Sequence, residues 1–136
     1  MWSFETDPDF QEKLDWMAIF IGDEIEPLDY LFPKDETYNV NNSALMSILA
    51  PLKDRVREAG LWACHLPPSL GGGGWGQLKL ALMNELLGRS FFAPTVFGTA
   101  APDTGNAEIL ARFGNQAQKD EFLKPLLDGD IVSCFS

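Results

Sequence analysis

Basic residues are scarce in this chain of 136 residues, which has 10 lysines and arginines against 20 aspartates and glutamates. The formal net charge of −10 produces a field that repels nucleic acid phosphates and anionic lipid headgroups. We therefore exclude nucleic acid and the membrane surface as main partners.

Cysteine and histidine are also rare. Cys64 and Cys134 are the two cysteines, and His65 is the single histidine. Their positions give neither a metal-ligand spacing nor a Cys-x-x-Cys motif. We therefore predict no metal site, no disulfide framework and reduced thiols in an intracellular protein.

Long apolar runs are missing as well. No apolar stretch of the sequence approaches the roughly 18 residues that span a bilayer, and the first residues are acidic where a targeting segment would be basic. These absences predict a cytoplasmic protein without membrane insertion.

The chain does contain enough apolar sequence for one core, since 46% of its residues are hydrophobic. Asp7 and Pro8 form a typical helix start. An apolar stripe at helical spacing follows in Phe10, Leu14, Met17 and Ile21. With the later helical patterns, the sequence predicts an all-α domain of about six helices over residues 1–130.

Further signals place the next helices. Ser43 is expected to cap a helix that Pro51 kinks or restarts. Residues 77–90 form the most apolar helix, which we expect at the centre of the domain.

The carboxyl-terminal third contains two more helix starts. Asp103 or Thr104 is expected to cap a helix that ends at Gly114. A capping box that begins at Asn115 starts a helix that Pro125 is expected to end.

Residues 131–136 follow an Asp-Gly-Asp turn signal and are rich in β-branched and aromatic side chains. They predict a strand. Because a lone strand leaves its backbone donors unpaired, we interpret it as the first strand of a middle β domain that is truncated here.

Three features have both a functional and a structural interpretation. His65 is either a general base or ligand, or a packing residue. The glycine run at 71–74 is either a phosphate-binding loop or a loop pinned by Trp75, and no Gly-Lys-Ser/Thr follows it. Glu85 is either a catalytic carboxylate or the ion-pair partner of Arg89. The structural interpretation is favoured in each case.

Residues 95–101 are mostly small and all uncharged, which suits either close core packing or the lining of a pocket. Gly98, Ala101 and Gly105 share one helical face if a helix continues through Pro102. If the proline instead splits the region into two helices, Ala101 turns away from Gly105.

Several motifs occur in a characteristic order. They are Gly-Leu-Trp at 60–62, Leu-Pro at 66–67, the glycine run, Ala-Pro-Asp-Thr-Gly-Asn at 101–106, Glu-Ile-Leu at 108–110, Gly-Asn-Gln-Ala-Gln-Lys at 114–119, Phe-Leu-Lys-Pro-Leu-Leu-Asp-Gly at 122–129 and Ser-Cys-Phe at 133–135. From about residue 8 to 136, the chain resembles the amino-terminal domain of the acyl-CoA dehydrogenases, most closely the branch of family members 10 and 11.

The resemblance implies a homo-oligomeric flavoprotein with a helical amino-terminal domain, a middle β domain and a carboxy-terminal helical bundle. It implies FAD as cofactor, acyl-CoA as substrate, and electron-transfer flavoprotein or another acceptor as partner. In the α,β-desaturation, a glutamate of the carboxy-terminal domain takes the α-proton while the β-hydride goes to flavin. The resemblance therefore assigns no catalytic residue to this chain.

The same resemblance places flavin contacts at Phe135 and Ser136 and the wall of the acyl pocket at Gly98, Ala101 and Gly105. It implies the amino-terminal part of an FAD-dependent acyl-CoA dehydrogenase, inactive when isolated. The alternative is a non-catalytic helical interaction module derived from the same family.

Overall fold

A computed structural model describes residues 5–70 and 72–136, so residues 1–4 of the predicted domain lie outside the described ranges. The α-helices are Pro8–Phe20 (α1), Leu28–Leu31 (α2), Ser43–Glu58 (α3), Gly76–Leu87 (α4), Ala93–Val96 (α5), Asp103–Phe113 (α6), Gln116–Gln118 (α7) and Lys124–Asp128 (α8). Shorter helical turns are the 3-10 turns Lys34–Tyr38 and Pro68–Leu70 and the π-helical turns Ile21–Ile25 and Lys119–Leu123. The described ranges contain no strand. The all-α prediction is therefore confirmed, whereas the strand at 131–136 stays a prediction.

The start of α1 is the one that its sequence predicts. The Asp7 carboxylate accepts a hydrogen bond from the Phe10 amide at 3.0 Å. Pro8 occupies the first helical position, where its missing N–H is not needed. The predicted stripe is buried at Phe10, Leu14, Met17 and Ile21. The chain then continues through the π-helical turn towards α2.

The main core joins α1, α3, α4 and α5. Its largest fully buried side chains are Phe10, Phe92, Phe97, Met17, Ile21, Ile25, Leu45, Leu49, Leu61, Met83 and Leu87. The prediction that the most apolar helix is central is wrong for this chain, because α4 buries Met83 and Leu87 while Leu78 remains 77% exposed. This helix packs on α1 and turns its opposite apolar side outward.

Two predictions about α3 are also corrected. Asn42, rather than Ser43, caps the helix, since its side chain accepts a hydrogen bond from the Leu45 amide at 3.1 Å. Of the two alternatives for Pro51, a kink or a restart, the restart is wrong, because one α-helix runs through the proline.

A second, smaller core lies between α6 and the last helical turns and consists of Ala107, Ala111, Leu123 and Leu126. The capping box at Asn115 is confirmed. The Gln118 backbone N–H donates to the Asn115 side-chain oxygen at 3.0 Å, and the Asn115 backbone N–H donates to the Gln118 side-chain oxygen at 2.9 Å. Pro125 does not end the helix there, because it occupies the first turn of α8, where a proline costs no hydrogen bond. The helix ends instead at Gly129, in the left-handed conformation.

Trp62 joins the two cores. Its indole N–H donates to the Leu127 carbonyl oxygen at 2.7 Å, and the Arg57 guanidinium lies 4.1 Å from the centre of the ring. Gly98 and Gly129 approach so closely that an added Cβ would lie 2.7 and 3.2 Å from ring atoms. Trp62 thus ties the loop after α5 and the end of α8 to the end of α3.

We expect Gly98→Ala to lower the free energy of unfolding by about 1–3 kcal/mol. The new methyl group would lie 2.7 Å from the Trp62 ring, and the backbone φ of +66° disfavours any side chain. Urea unfolding of the two proteins measures the difference.

The matched control is Gly105→Ala in the first turn of α6, where the nearest atom to an added Cβ is 3.9 Å away. Alanine favours a helix over glycine, so stability should be unchanged or slightly higher. Equal losses at both positions, or no loss at Gly98, would contradict the packing against Trp62.

Candidate functional site

The carboxyl-terminal segment 131–136 lies against α6, and Ser133 makes the contacts. Its backbone N–H and its hydroxyl both donate to one carboxylate oxygen of Asp103, at 2.7 and 2.6 Å. The side-chain amide of Asn106 donates to the same hydroxyl at 2.8 Å. Three hydrogen bonds thus attach the segment to one turn of α6.

The predicted capping role of Asp103 or Thr104 is wrong, because no side chain caps α6. Amides in the first turn of the helix donate to backbone carbonyls that precede it. The Asp103 carboxylate is therefore available for Ser133, 30 residues further along the chain. Sequence reasoning missed this pairing, since local capping patterns carry no signal for so distant a partner.

Both residues predicted to contact a cofactor are accessible. Phe135 is 71% exposed, and Ser136 is exposed as well. A Cβ added to Gly105 would lie 3.9 Å from Phe135 Cζ, so the aromatic ring lies beside α6. A predicted cofactor residue and a predicted pocket residue are therefore neighbours.

No helix crosses Pro102, since α5 ends before it and α6 begins after it. The helical face expected to be shared by Gly98, Ala101 and Gly105 is thus wrong, and the split interpretation holds. Gly98 lies in a turn packed against Trp62. Ala101 is exposed, and Gly105 lies in the first turn of α6.

A cavity of about 40 Å³ lies between the loop after α5 and segment 131–136. Lys53 and Asp103 are the charged side chains in its wall. Burial lowers the pKa of Lys53, as does Arg57, whereas Asp130 and Asp103 act in the opposite direction. The buried Thr95 hydroxyl in the same wall has no hydrogen-bond partner within the described ranges. These polar groups in the cavity wall were not predicted, because Lys53 lies in a run of charged residues that gives no signal for burial.

A wider groove of about 380 Å³ runs between α6 and segment 131–136. Its apolar lining is Ile109, Leu110, Phe122, Leu126, Ile131 and Val132. Ile109 and Phe122 are exposed at 54% and 44%. The groove therefore offers apolar surface directly beside the hydrogen bonds of Ser133.

The structure supports the packing interpretation of His65. Burial lowers the pKa of its imidazole, with Glu108 acting in the opposite direction. Neither ring nitrogen has a hydrogen-bond partner in the part of the chain that the structure describes. Burial also raises the pKa of the neighbouring Cys64 thiol to about 11, so no activated nucleophile lies beside this histidine in the sequence.

The glycine-rich stretch is structured around Trp75. This ring packs on Phe10, with 5.5 Å between the ring centres, and Lys13 lies 5.4 Å from the Trp75 centre. These contacts support the interpretation of a loop pinned by Trp75. Gly71, the first residue of the predicted run, lies outside the described residues.

The predicted pair of Glu85 and Arg89 does not form. Arg89 instead pairs with Glu26 at 2.7 Å and donates to the Ala18 carbonyl at 3.4 Å. Glu85 is exposed. Arg89 therefore pairs with Glu26, which is distant in the sequence, and not with Glu85, which is four residues away.

Within residues 5–70 and 72–136, no group of three or more His, Cys, Asp or Glu side chains is arranged to hold a metal ion. Among the helices of these residues, none combines the length and apolarity needed to cross a membrane.

Comparison with known proteins identifies relatives of this arrangement. Residues 15–130 match the family model described as acyl-CoA dehydrogenase, N-terminal domain. The chain is 46% identical over 88 residues to acyl-CoA dehydrogenase family member 11 of Pongo abelii, a match that covers 65% of this chain and 11% of that protein. It is 31% identical over 134 residues to family member 10 of Mus musculus, covering 95% of this chain and 12% of that one. A solved Mycobacterium abscessus structure assigned as an acyl-CoA dehydrogenase superimposes with a TM-score of 0.76 at 39% identity, over 94% of this chain and 33% of that chain.

Cys134 should be the one thiol that reacts rapidly in the folded chain. It is exposed, whereas Cys64 is buried and its pKa is raised to about 11. Because the thiolate is the reactive form, Cys64 has little of it at neutral pH. A colorimetric thiol assay should count one thiol in the native chain, two in denaturant and none in native Cys134→Ser. Two fast thiols in the native chain would contradict the burial of Cys64.

Proposed function

This chain belongs to the acyl-CoA dehydrogenase family, whose N-terminal domain it matches, and we propose that it is the helical amino-terminal part of an FAD-dependent enzyme that desaturates acyl-CoA thioesters between the α and β carbons. Its proposed role is to form one wall of the acyl pocket and to support the flavin domain. The chain spans 11–12% of the two curated relatives described above, so these roles are proposals about a larger protein.

One observation carries the proposal. Phe135, a proposed flavin contact, lies beside Gly105, a proposed pocket residue, although 30 positions separate them in the sequence. In the reaction, the acyl chain must lie next to the flavin so that hydride can pass between them. The reaction thus requires the flavin contact and the pocket residue to be neighbours, and both lie at the start of α6.

Phe135 and Ser136 fit a flavin as one edge of its site. An exposed aromatic ring and an exposed hydroxyl can contact a flat heteroaromatic group by stacking and hydrogen bonding. FAD, when bound, would supply the acceptor for the β-hydride. The residues of this chain would bind and orient, and none of them is proposed to move a proton.

The pocket residues have different proposed roles. Gly105 leaves open space on α6 next to Phe135, and Ala101 is exposed just before that helix. Gly98 would act less directly, because it fixes the Trp62 ring and the loop that leads to Ala101. The apolar groove beside α6 provides a surface that an acyl chain can contact.

We propose a homo-oligomeric, cytoplasmic enzyme that passes electrons to electron-transfer flavoprotein or another acceptor. The alternative, a non-catalytic interaction module, draws support from exposed apolar side chains on and near α6. Phe113 is 81% exposed there. A flavin measurement on the complete protein separates the two functions.

The 136-residue chain alone should bind no FAD, because it presents only Phe135 and Ser136 as proposed contacts. Its visible absorption spectrum should lack the flavin bands, whereas the complete enzyme should be yellow with stoichiometric FAD. Stoichiometric flavin on the 136-residue chain would contradict this division of the site, and a colourless complete protein would favour the interaction module.

Ala101→Phe tests the pocket. The residue is exposed, so the substitution should change the unfolding free energy of the 136-residue chain by less than about 0.5 kcal/mol. In the complete enzyme, we expect kcat/KM to fall far more for long acyl-CoA substrates than for short ones, with flavin content unchanged.

Ala117→Phe provides the matched control, since Ala117 is also exposed but lies in α7. It should leave the chain-length profile unaltered. An equal loss for long and short substrates, or the same profile in both variants, would remove Ala101 from the pocket.

A further inference from the structure

We propose that Asp103 and Asn106 are positioning residues that attach Ser133 to α6 and thereby set where Phe135 meets the flavin. This inference rests on the proposed function and adds two residues to it. Neither is proposed to touch the substrate or cofactor.

The direction of each hydrogen bond in the attachment is fixed by chemistry. An ionised carboxylate only accepts, so both bonds to Asp103 are donated by Ser133, from its N–H and its hydroxyl. The hydroxyl oxygen then accepts from the amide of Asn106. Each Ser133 donor has a partner, and two of the three bonds are of the stronger, charge-assisted kind.

The Asp103 carboxylate is placed for this role by the start of α6. Asp103 is the first residue of α6, after Pro102 at the N-cap position, and its side chain does not cap the helix. Asn106 lies three residues further on, so the two side chains emerge on neighbouring positions of one helical face. The face that they form is the one that Ser133 contacts.

Attachment at Ser133 also determines the position of Phe135. Only Cys134 separates the two residues in the chain, so fixing Ser133 restricts where the Phe135 ring can lie. Ser133 and Phe135 both meet α6, at Asp103 and beside Gly105 respectively. Ile131 and Val132 keep 38% and 46% of their surface exposed, so their partial burial adds to the hydrogen bonds of Ser133 in holding the segment.

The first test measures the attachment in the 136-residue chain. Asp103→Ala removes two charge-assisted bonds, and losing even one such bond corresponds to about a tenfold rise in the detached population. Hydrogen exchange at the Ser133 amide, followed by NMR, should accelerate by at least that factor. A nitroxide on the exposed Cys134 should become more mobile in the same variant.

Controls separate attachment from loss of the fold. Glu108→Gln removes a carboxylate from an exposed position of the same helix and should alter neither readout. Ser133→Thr keeps both donors and should behave as wild type, whereas Ser133→Ala should resemble Asp103→Ala. Unchanged exchange and nitroxide mobility in Asp103→Ala would overturn the attachment.

The second test uses the complete enzyme with its flavin. Asp103→Ala and Asn106→Ala should shift the visible absorption bands of the flavin or increase flavin loss on dialysis, and Glu108→Gln should do neither. A detached segment with unchanged flavin spectrum and retention would overturn the positioning role.

Failure of the proposed function gives a different result. In that case the wild-type complete protein carries no flavin, which overturns the positioning role as well. The attachment of Ser133 would still be measurable by hydrogen exchange in the 136-residue chain.

Discussion

The Trp62 ring fits into this fold because two residues beside it carry no side chain. Gly98 approaches the ring from the loop after α5, and Gly129 approaches it from the end of α8. The indole N–H meanwhile satisfies the carbonyl of Leu127 near the end of a helix. Both cores, and with them the relative placement of α5 and α6, depend on this contact. The proposed pocket is therefore shaped by a residue that does not need to touch a substrate.

The helices could be predicted from sequence where their signals are local. The Asp7 cap and the Asn115 capping box form as predicted because every group involved lies within one helical turn. Several of the errors concern residues whose partners are distant. Arg89 has a local candidate in Glu85 but pairs with Glu26, which the fold brings to 2.7 Å. The error at Pro125 has another cause, because a proline is tolerated in the first turn of a helix and is also common just after a helix end.

The candidate site was predictable only in part, for the same physical reason. The composition of residues 131–136 identifies an extended, partly apolar segment, and the family resemblance points to Phe135. The attachment of that segment by Asp103 requires knowledge of which face of α6 it meets. Gly98 illustrates the limit of composition, because a small residue that suggests open space is here a point of close contact. The space beside a small residue can be filled by a ligand or by another side chain of the protein, and composition alone does not distinguish the two.

The π-helical turn at Ile21–Ile25 determines how the chain tolerates changes in length. Its hydrogen bond from the Glu26 amide to the Ile21 carbonyl, at 2.8 Å, encloses one residue more than an α-helical turn does. A chain one residue shorter here would close an ordinary α-helical turn and leave Leu28 facing the core. The Asp29 carboxylate, which accepts a hydrogen bond from the Ser90 hydroxyl at 3.0 Å, would then keep this contact. We therefore expect a related chain that is one residue shorter between α1 and α2 to keep the orientation of the helices that follow.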